Sequence, residues 1–123
     1  MAFVRKKKVG DREYAQIVEN YRVEGVRTPR QRVLLHLGYY GPAHALIYWQ
    51  HFADQSNRET TRQHYAAKVA RLRELIEQGK VEVSDEDLRQ AEQDLEAELR
   101  ALEEIEKRIK GHVDAFMAVY GRA

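Results

Sequence analysis

The sequence contains no cysteine, and none of its apolar runs is long enough to cross a bilayer. The first absence excludes disulfides and thiolate metal sites and fits a reducing compartment. A transmembrane helix needs about 20 predominantly apolar residues, so we expect no membrane association. The basic start, MAFVRKKKVG, is not followed by the apolar segment of a secretory signal. We therefore expect a cytoplasmic protein.

The sequence also lacks any pattern typical of a catalytic site. No glycine lies in a phosphate-loop motif, and no nucleophile–base pair can be identified. Among the histidines, His44 and His51 are seven residues apart and His64 follows, whereas zinc sites on helices have tighter pairings with a nearby carboxylate. We expect no catalytic residue, no metal site and no cofactor.

The charges are unevenly distributed along the chain. The net charge is only +1, although charged residues make up 33% of the sequence. Residues 1–41 contain nine lysines and arginines against four acidic residues, a net charge of +5, whereas the remainder contains twelve against sixteen, a net charge of −4. Such a separation indicates two surfaces with different partners. The basic part could meet phosphate, while the acidic part is solvated or pairs with protein.

Three short segments before Gly41 have the composition and turn signals of β-strands. They are rich in tyrosine, valine and isoleucine and are separated at Gly10-Asp11 and at Glu24-Gly25. We predict a three-stranded antiparallel meander. In the third segment, strict alternation predicts that Val33, Leu35 and Leu37 face the core.

The same alternation places Arg30 and Arg32 on the opposite side from that core. We expect them to share one basic face with Arg5 and Lys7 of the first strand, beside Tyr14 or Tyr21. The alternative is that these cations bind no ligand and form a charged sheet face or edge that discourages aggregation.

After Gly41 the sequence has helical periodicity. Pro42 opens a short aromatic helix, expected to end near Gln55 and to cover the sheet. Two longer amphipathic helices follow, and we predict that they form a long, coiled-coil-like antiparallel hairpin. The predicted fold class is α+β, with the sheet and short helix in residues 1–55 and the hairpin in residues 56–123.

The last helix has an apolar residue at every third or fourth position, close to a sustained heptad seam. It is predicted to be longer than its partner, so part of the seam needs other apolar surface. Five seam residues are therefore candidates for a homo-oligomer or partner-protein interface: Leu95, Leu99, Leu102, Ile109 and Phe116.

Several short motifs follow one another in the strand region. They are FVRKKK, Tyr14-Ala15-Gln16-Ile17-Val18-Glu19, Tyr21-Arg22, Gly25, Arg30-Gln31-Arg32-Val33 and Leu37-Gly38. In this order they resemble the N-terminal segment of certain DDE-type insertion-sequence transposases, over residues 3–38. The resemblance implies DNA binding, because in that family the segment precedes the catalytic core and is expected to help hold DNA. It implies no transposase activity here, since charged helices stand where the RNase-H-like core and its three carboxylates would begin.

The sequence thus predicts a non-catalytic nucleic-acid-binding module, with DNA favoured, that oligomerises or recruits a partner through its helical hairpin. The alternative is a structural or protein-interaction module acting through its helices. Whether the ligand is DNA, RNA or protein stays open. The residues predicted to contact nucleic acid are Arg5, Lys6, Lys7, Lys8, Arg22, Arg30 and Arg32.

Overall fold

The computed structural model describes residues 2–121. Along them, three strands are followed by three helices: β1 (Ala2–Val9), β2 (Arg12–Tyr21), β3 (Arg30–Gly38), α1 (Pro42–Gln55), α2 (Glu59–Glu77) and α3 (Asp85–Tyr120). The strands form one antiparallel sheet in the order β1-β2-β3. This confirms the α+β class and the three-stranded sheet. The coiled-coil-like hairpin is not confirmed and stays a prediction.

The chain divides into two compact units, one up to Ala91 and a second from Glu92. In the first unit, α1 and α2 pack against one side of the sheet, which we call the helix side. Its fully buried residues include Ile17 and Leu37 from the strands, and Leu72 and Leu75 from α2. Complete burial of one such side chain contributes about 1.5–3 kcal/mol. The predicted cover of the sheet by α1 is confirmed, because Trp49 lies in the same core.

The register between β2 and β3 shifts twice. Ala15 pairs with Gly38 but Gln16 pairs with His36, which leaves Leu37 as an extra residue on β3. Likewise Ile17 pairs with Leu35 but Val18 pairs with Val33, which leaves Leu34 as a second extra residue on β3. A bulge of this kind interrupts the alternation of side chains and bends the strand. The sides to which β3 residues point therefore cannot be obtained by counting every second residue.

The second shift reverses the prediction for the first half of β3. Val33 pairs with Val18, which points to the other side of the sheet from the core residue Ile17, and Val33 is 41% exposed. The prediction that Val33 faces the core with Leu35 and Leu37 is wrong. For the same reason Arg32 lies beside Glu19 on the helix side. We call the opposite side of the sheet the outer face.

Helix α3 begins with a side-chain cap. The Ser84 hydroxyl accepts a hydrogen bond from the backbone N–H of Asp87 at 3.1 Å, and three acidic residues occupy the first turn. Both features favour a helix start, because they satisfy free N–H groups and complement the helix dipole. None of the described helices is long and apolar enough to pass through a membrane.

In the second unit, α3 exposes an apolar stripe. Six of its large apolar residues are 50–73% exposed: Leu102, Ile105, Ile109, Val113, Phe116 and Tyr120. The rings of Phe116 and Tyr120 contact each other, with centroids 4.8 Å apart. Contiguous apolar surface of this kind is typical of interaction sites.

Candidate nucleic-acid interface

The outer face is built from cross-strand neighbours that carry no negative charge. Across the strands, Lys7 pairs with Tyr14, Arg5 with Gln16, and Gln16 with His36. The described strands contain two acidic residues, Glu13 and Glu19. Alternation along β2 places both on the helix side with Ala15 and Ile17. The charged strand residues of the outer face are thus all cations, whereas both carboxylates lie on the helix side. Phe3, Val18 and Val33 form an apolar part of the outer face, with Val18 fully buried.

On the helix side, the carboxylates are used to neutralise cations. Glu19 accepts a hydrogen bond from the Lys80 ammonium at 2.8 Å and lies 3.6 Å from the Arg32 guanidinium. The hydrogen bond from Lys80 is the main cause that lowers the pKa of Glu19. Lys6 and Glu13 form a looser ion pair at 3.9 Å. Because the outer face has no such acid, its positive potential is not cancelled locally.

Arg5 forms the centre of a polar row that crosses all three strands. Its guanidinium donates to Oε1 of Gln16 at 2.9 Å and to Oε1 of Gln31 at 2.8 Å. The side-chain amide of Gln16 continues to Nδ1 of His36 at 3.1 Å. Nε of Arg5 is buried without a hydrogen-bond partner in the described part of the chain. The guanidinium therefore lies against the sheet and is held by the neutral side chains of two other strands.

One end of the outer face carries two tyrosines and an arginine. The rings of Tyr14 and Tyr39 lie 5.2 Å apart, and Arg12 donates to the Tyr39 hydroxyl at 3.4 Å. A hydrogen bond from Tyr14 lowers the pKa of Tyr39, and the same bond raises the pKa of Tyr14. Tyr39 is 64% exposed. An exposed ring beside a cation can stack on a nucleic-acid base.

The other aromatic residues around the start of α1 belong to the core. Tyr48 and Trp49 are each 3% exposed, and the rings of Tyr48, Phe52 and Tyr65 contact one another in sequence. Lys68 of α2 places its ammonium 4.7 Å from the centroid of the Trp49 ring. The aromatic residues of α1 are thus mainly a packing feature.

The seven basic residues predicted from the sequence do not form one surface. Arg5 and Lys7 lie on the outer face, whereas Lys6 and Arg32 form ion pairs on the helix side. Lys8 pairs with Glu13 across the strands, so it also lies on the helix side. Arg22 follows β2 in the exposed connection to β3, and Arg30 opens β3 opposite Tyr21. The expected grouping of Arg30 and Arg32 with Arg5 and Lys7 is wrong, because the bulge at Leu34 reverses the side to which they point.

Sequence reasoning missed four residues that share the outer face: Arg12, Gln16, Gln31 and His36. Arg12, Tyr14 and Gln16 follow one another at every second position of β2, which is a visible signal for a common face. The contribution of Gln31 and His36 had no such signal, because the two bulges in β3 determine where they point.

Among residues 2–121 there is no group of three or more potential metal ligands that could hold a metal ion.

The predicted interface residues on α3 fall into two groups. Leu95 and Leu99 are half-buried, and Leu102, Ile109 and Phe116 are more than half exposed. Glu96 and Arg100 form an exposed ion pair at 3.8 Å near this stripe. The surface around the stripe therefore carries charges of both signs.

A family model described as "IS1634 family transposase, N-terminal domain" matches residues 3–115 of the chain. The match confirms the resemblance to a transposase N-terminal segment and extends it from the strands into α3. Charged amphipathic helices are common in unrelated proteins, so the helical part offered no comparable motif to recognise. No curated protein and no solved structure gives a significant match.

Proposed function

The chain belongs to the family of IS1634 transposase N-terminal domains, and from this premise we propose that it is a non-catalytic module that binds duplex DNA. The observation that supports the proposal most is the sorting of charge between the two sides of the sheet. Arg5 and Lys7 stand on a face without acids, while Glu13 and Glu19 neutralise cations on the other side. We assign DNA contact to the outer face.

The dimensions of a sheet suit this role. Neighbouring strands are about 4.8 Å apart, and the major groove of DNA is about 12 Å wide, so two strands can enter it together. Lysines at the margin of such a sheet contact phosphates, which positions the protein on the duplex without reading sequence. Lys7 is exposed and forms no ion pair within residues 2–121, so it is available for this contact.

The remaining predicted residues receive different roles in this proposal. Arg22 is exposed in the connection that follows β2 and forms no ion pair in the described part of the chain, so we assign it to a flanking phosphate. Arg30 points to the helix side, as Lys8 does, and is assigned no direct contact. Lys6 and Arg32 are engaged with Glu13 and Glu19. They contribute to the long-range positive field rather than to direct contacts.

A pair of adjacent lysines provides the test. Lys7 and Lys8 are both exposed, but successive residues of a strand point to opposite sides. DNA binding is measured from about 50 to 200 mM salt. The plot of log K against log salt has a negative slope, and each lost phosphate contact makes this slope less steep by about 0.9. We expect this change for Lys7→Gln and an unchanged slope for Lys8→Gln. Equal effects of the two variants, or a wild-type chain that does not bind duplex DNA, would refute the assignment.

A second candidate function rests on the apolar stripe of α3. We propose that the stripe, with Leu95, Leu99, Leu102, Ile109 and Phe116, mediates homo-oligomerisation or binds a partner protein through a coiled-coil-like arrangement of helices. The exposure of Ile109 and Phe116, 56% and 59%, supports this. Two copies would place two basic sheets on one nucleic acid and increase its affinity.

Light scattering tests this second function. Ile109→Glu introduces a charge in the stripe and is expected to lower the mass of an oligomer or abolish capture of a partner. Lys107→Glu is the control, because it adds negative charge to the same exposed helix outside the stripe. A wild-type chain that stays monomeric at high concentration and captures no partner would argue against it.

A further inference from the structure

The polar row formed by Arg5, Gln16, Gln31 and His36 has a fixed pattern of hydrogen-bond donors. Arginine has no acceptor, so the atoms of Gln16 and Gln31 that face Arg5 are carbonyl oxygens. The amide nitrogen of Gln16 therefore faces His36 and donates to Nδ1. Because Nδ1 accepts, neutral His36 carries its proton on Nε2.

Most of the groups that this row leaves for a ligand donate hydrogen bonds. Each terminal nitrogen of Arg5 uses one N–H within the row and keeps one. Gln31 keeps its amide N–H groups, Gln16 keeps one, and His36 keeps Nε2–H. The carbonyl oxygen of each glutamine uses one of its two lone pairs on Arg5, so the free N–H groups of the row outnumber its remaining acceptor sites. Gln31 and His36 are exposed, and Arg5 and Gln16 are partly exposed, so a ligand can reach the row.

We propose that this donor row determines sequence specificity by reading guanine in the major groove, with Arg5 as the contacting residue and Gln16 and Gln31 as positioning residues. The proposal rests on the DNA-binding function proposed above. Guanine presents two acceptors there, N7 and O6, which an arginine fork can bind together. Adenine presents one acceptor beside an amino donor. That amino group would face an N–H of Arg5, and neither donor would have a hydrogen-bond partner.

The way Arg5 is held favours a specific contact over a mobile one. A free arginine loses rotamer entropy when it binds, whereas Arg5 is already fixed by the two hydrogen bonds that it donates to Gln16 of β2 and Gln31 of β3. Lys7, two residues further along β1 on the same face, is free to follow a phosphate. The outer face thus separates a positioning contact from a reading contact, which is how protein–DNA interfaces obtain specificity.

The first experiment uses the 123-residue wild-type chain. Binding sites are selected from a randomised duplex library, and the enriched duplex is then made with 7-deazaguanine, which lacks the N7 acceptor but leaves pairing and phosphates intact. A bidentate arginine–guanine contact supplies about 5- to 150-fold discrimination, so we expect an affinity loss of about tenfold for the critical guanine. Enriched sites without guanine, or an unchanged affinity after the 7-deaza replacement, would overturn the proposal.

Two variants then test which residue reads and which one positions. Arg5→Lys keeps the positive charge but loses the fork, and Gln16→Met keeps the side-chain length but loses the acceptor that holds Arg5. We expect both to reduce the preference for the guanine duplex by about tenfold, with an unchanged salt slope for Arg5→Lys. Lys7→Gln is the control, since it should weaken binding to all duplexes equally.

The outcomes separate this inference from the proposed function. If the wild-type chain binds no duplex in a salt-dependent way, the DNA-binding function itself fails. If it binds with a salt-dependent affinity but Arg5→Lys keeps the full guanine preference, only the reading role of Arg5 fails. Circular dichroism of each variant shows whether it is folded. If a variant does not fold, the 7-deazaguanine result on the wild-type chain decides the proposal.

Discussion

Truncation of two residues of β3 tests the bulged register directly. Leu37 is 1% exposed within the core, so Leu37→Ala is expected to cost about 2–5 kcal/mol of the free energy of unfolding, as large-to-small core substitutions do. Val33 is 41% exposed on the outer face. Val33→Ala removes two methyl groups' worth of apolar surface that is only partly buried, so we expect a loss of about 1 kcal/mol or less.

Urea unfolding measures both losses. A domain of this size has a total stability of about 5–15 kcal/mol, so Leu37→Ala should shift the midpoint strongly, at an unchanged slope. Strict alternation along β3 predicts a different result, since it places Val33 and Leu37 on the same side of the strand. A Val33→Ala loss as large as that of Leu37→Ala would refute the bulge at Leu34 and the assignment of the two sides of the sheet.

Two further predictions follow from the electrostatics and the backbone. Lys80 lowers the pKa of Glu19 in the folded state, so the ionised carboxylate stabilises the fold above the ordinary value of 4.5, and this stabilisation is lost as the pH falls from 4.5 through the lowered pKa. Urea midpoints should show Glu19→Gln less stable than wild type at pH 7, with a difference that shrinks as the pH is lowered below 4.5. Gly25 has φ +82°, so Gly25→Ala should cost about 1 kcal/mol. Gly111 lies inside α3 with open space around an added Cβ, so Gly111→Ala should be neutral or slightly stabilising in the same assay.

The proposed division of labour on the sheet gives the charge pattern of the first 41 residues a physical meaning. Nine cations in this part of the chain do not act as one patch. Arg32 and Lys6 neutralise carboxylates beside the helices, and Arg5 and Lys7 stand where no carboxylate competes. Net charge therefore identifies the basic third of the chain, but the side of the strand on which each residue lies determines which cations can meet a ligand.

Local features of the chain were sufficient to predict most of its elements. Gly10 and Gly25 mark the connections between strands, Pro42 opens α1, and Ser84 caps α3, because each satisfies a requirement of its own few neighbours. The family resemblance was also visible, since its motifs lie in the strands. These signals depend on neighbours in sequence, and that is why the sequence alone contains them.

Only the tertiary structure determined the two sides of the sheet. The bulges at Leu34 and Leu37 arise from the pairing of β3 with β2, and nothing within β3 itself marks them. They turn Val33 outward, bring Arg32 to Glu19, and place His36 beside Gln16. The sequence by itself thus determined that a basic three-stranded sheet precedes helices, whereas the pairing of its strands decided which side chains form the candidate DNA-binding face.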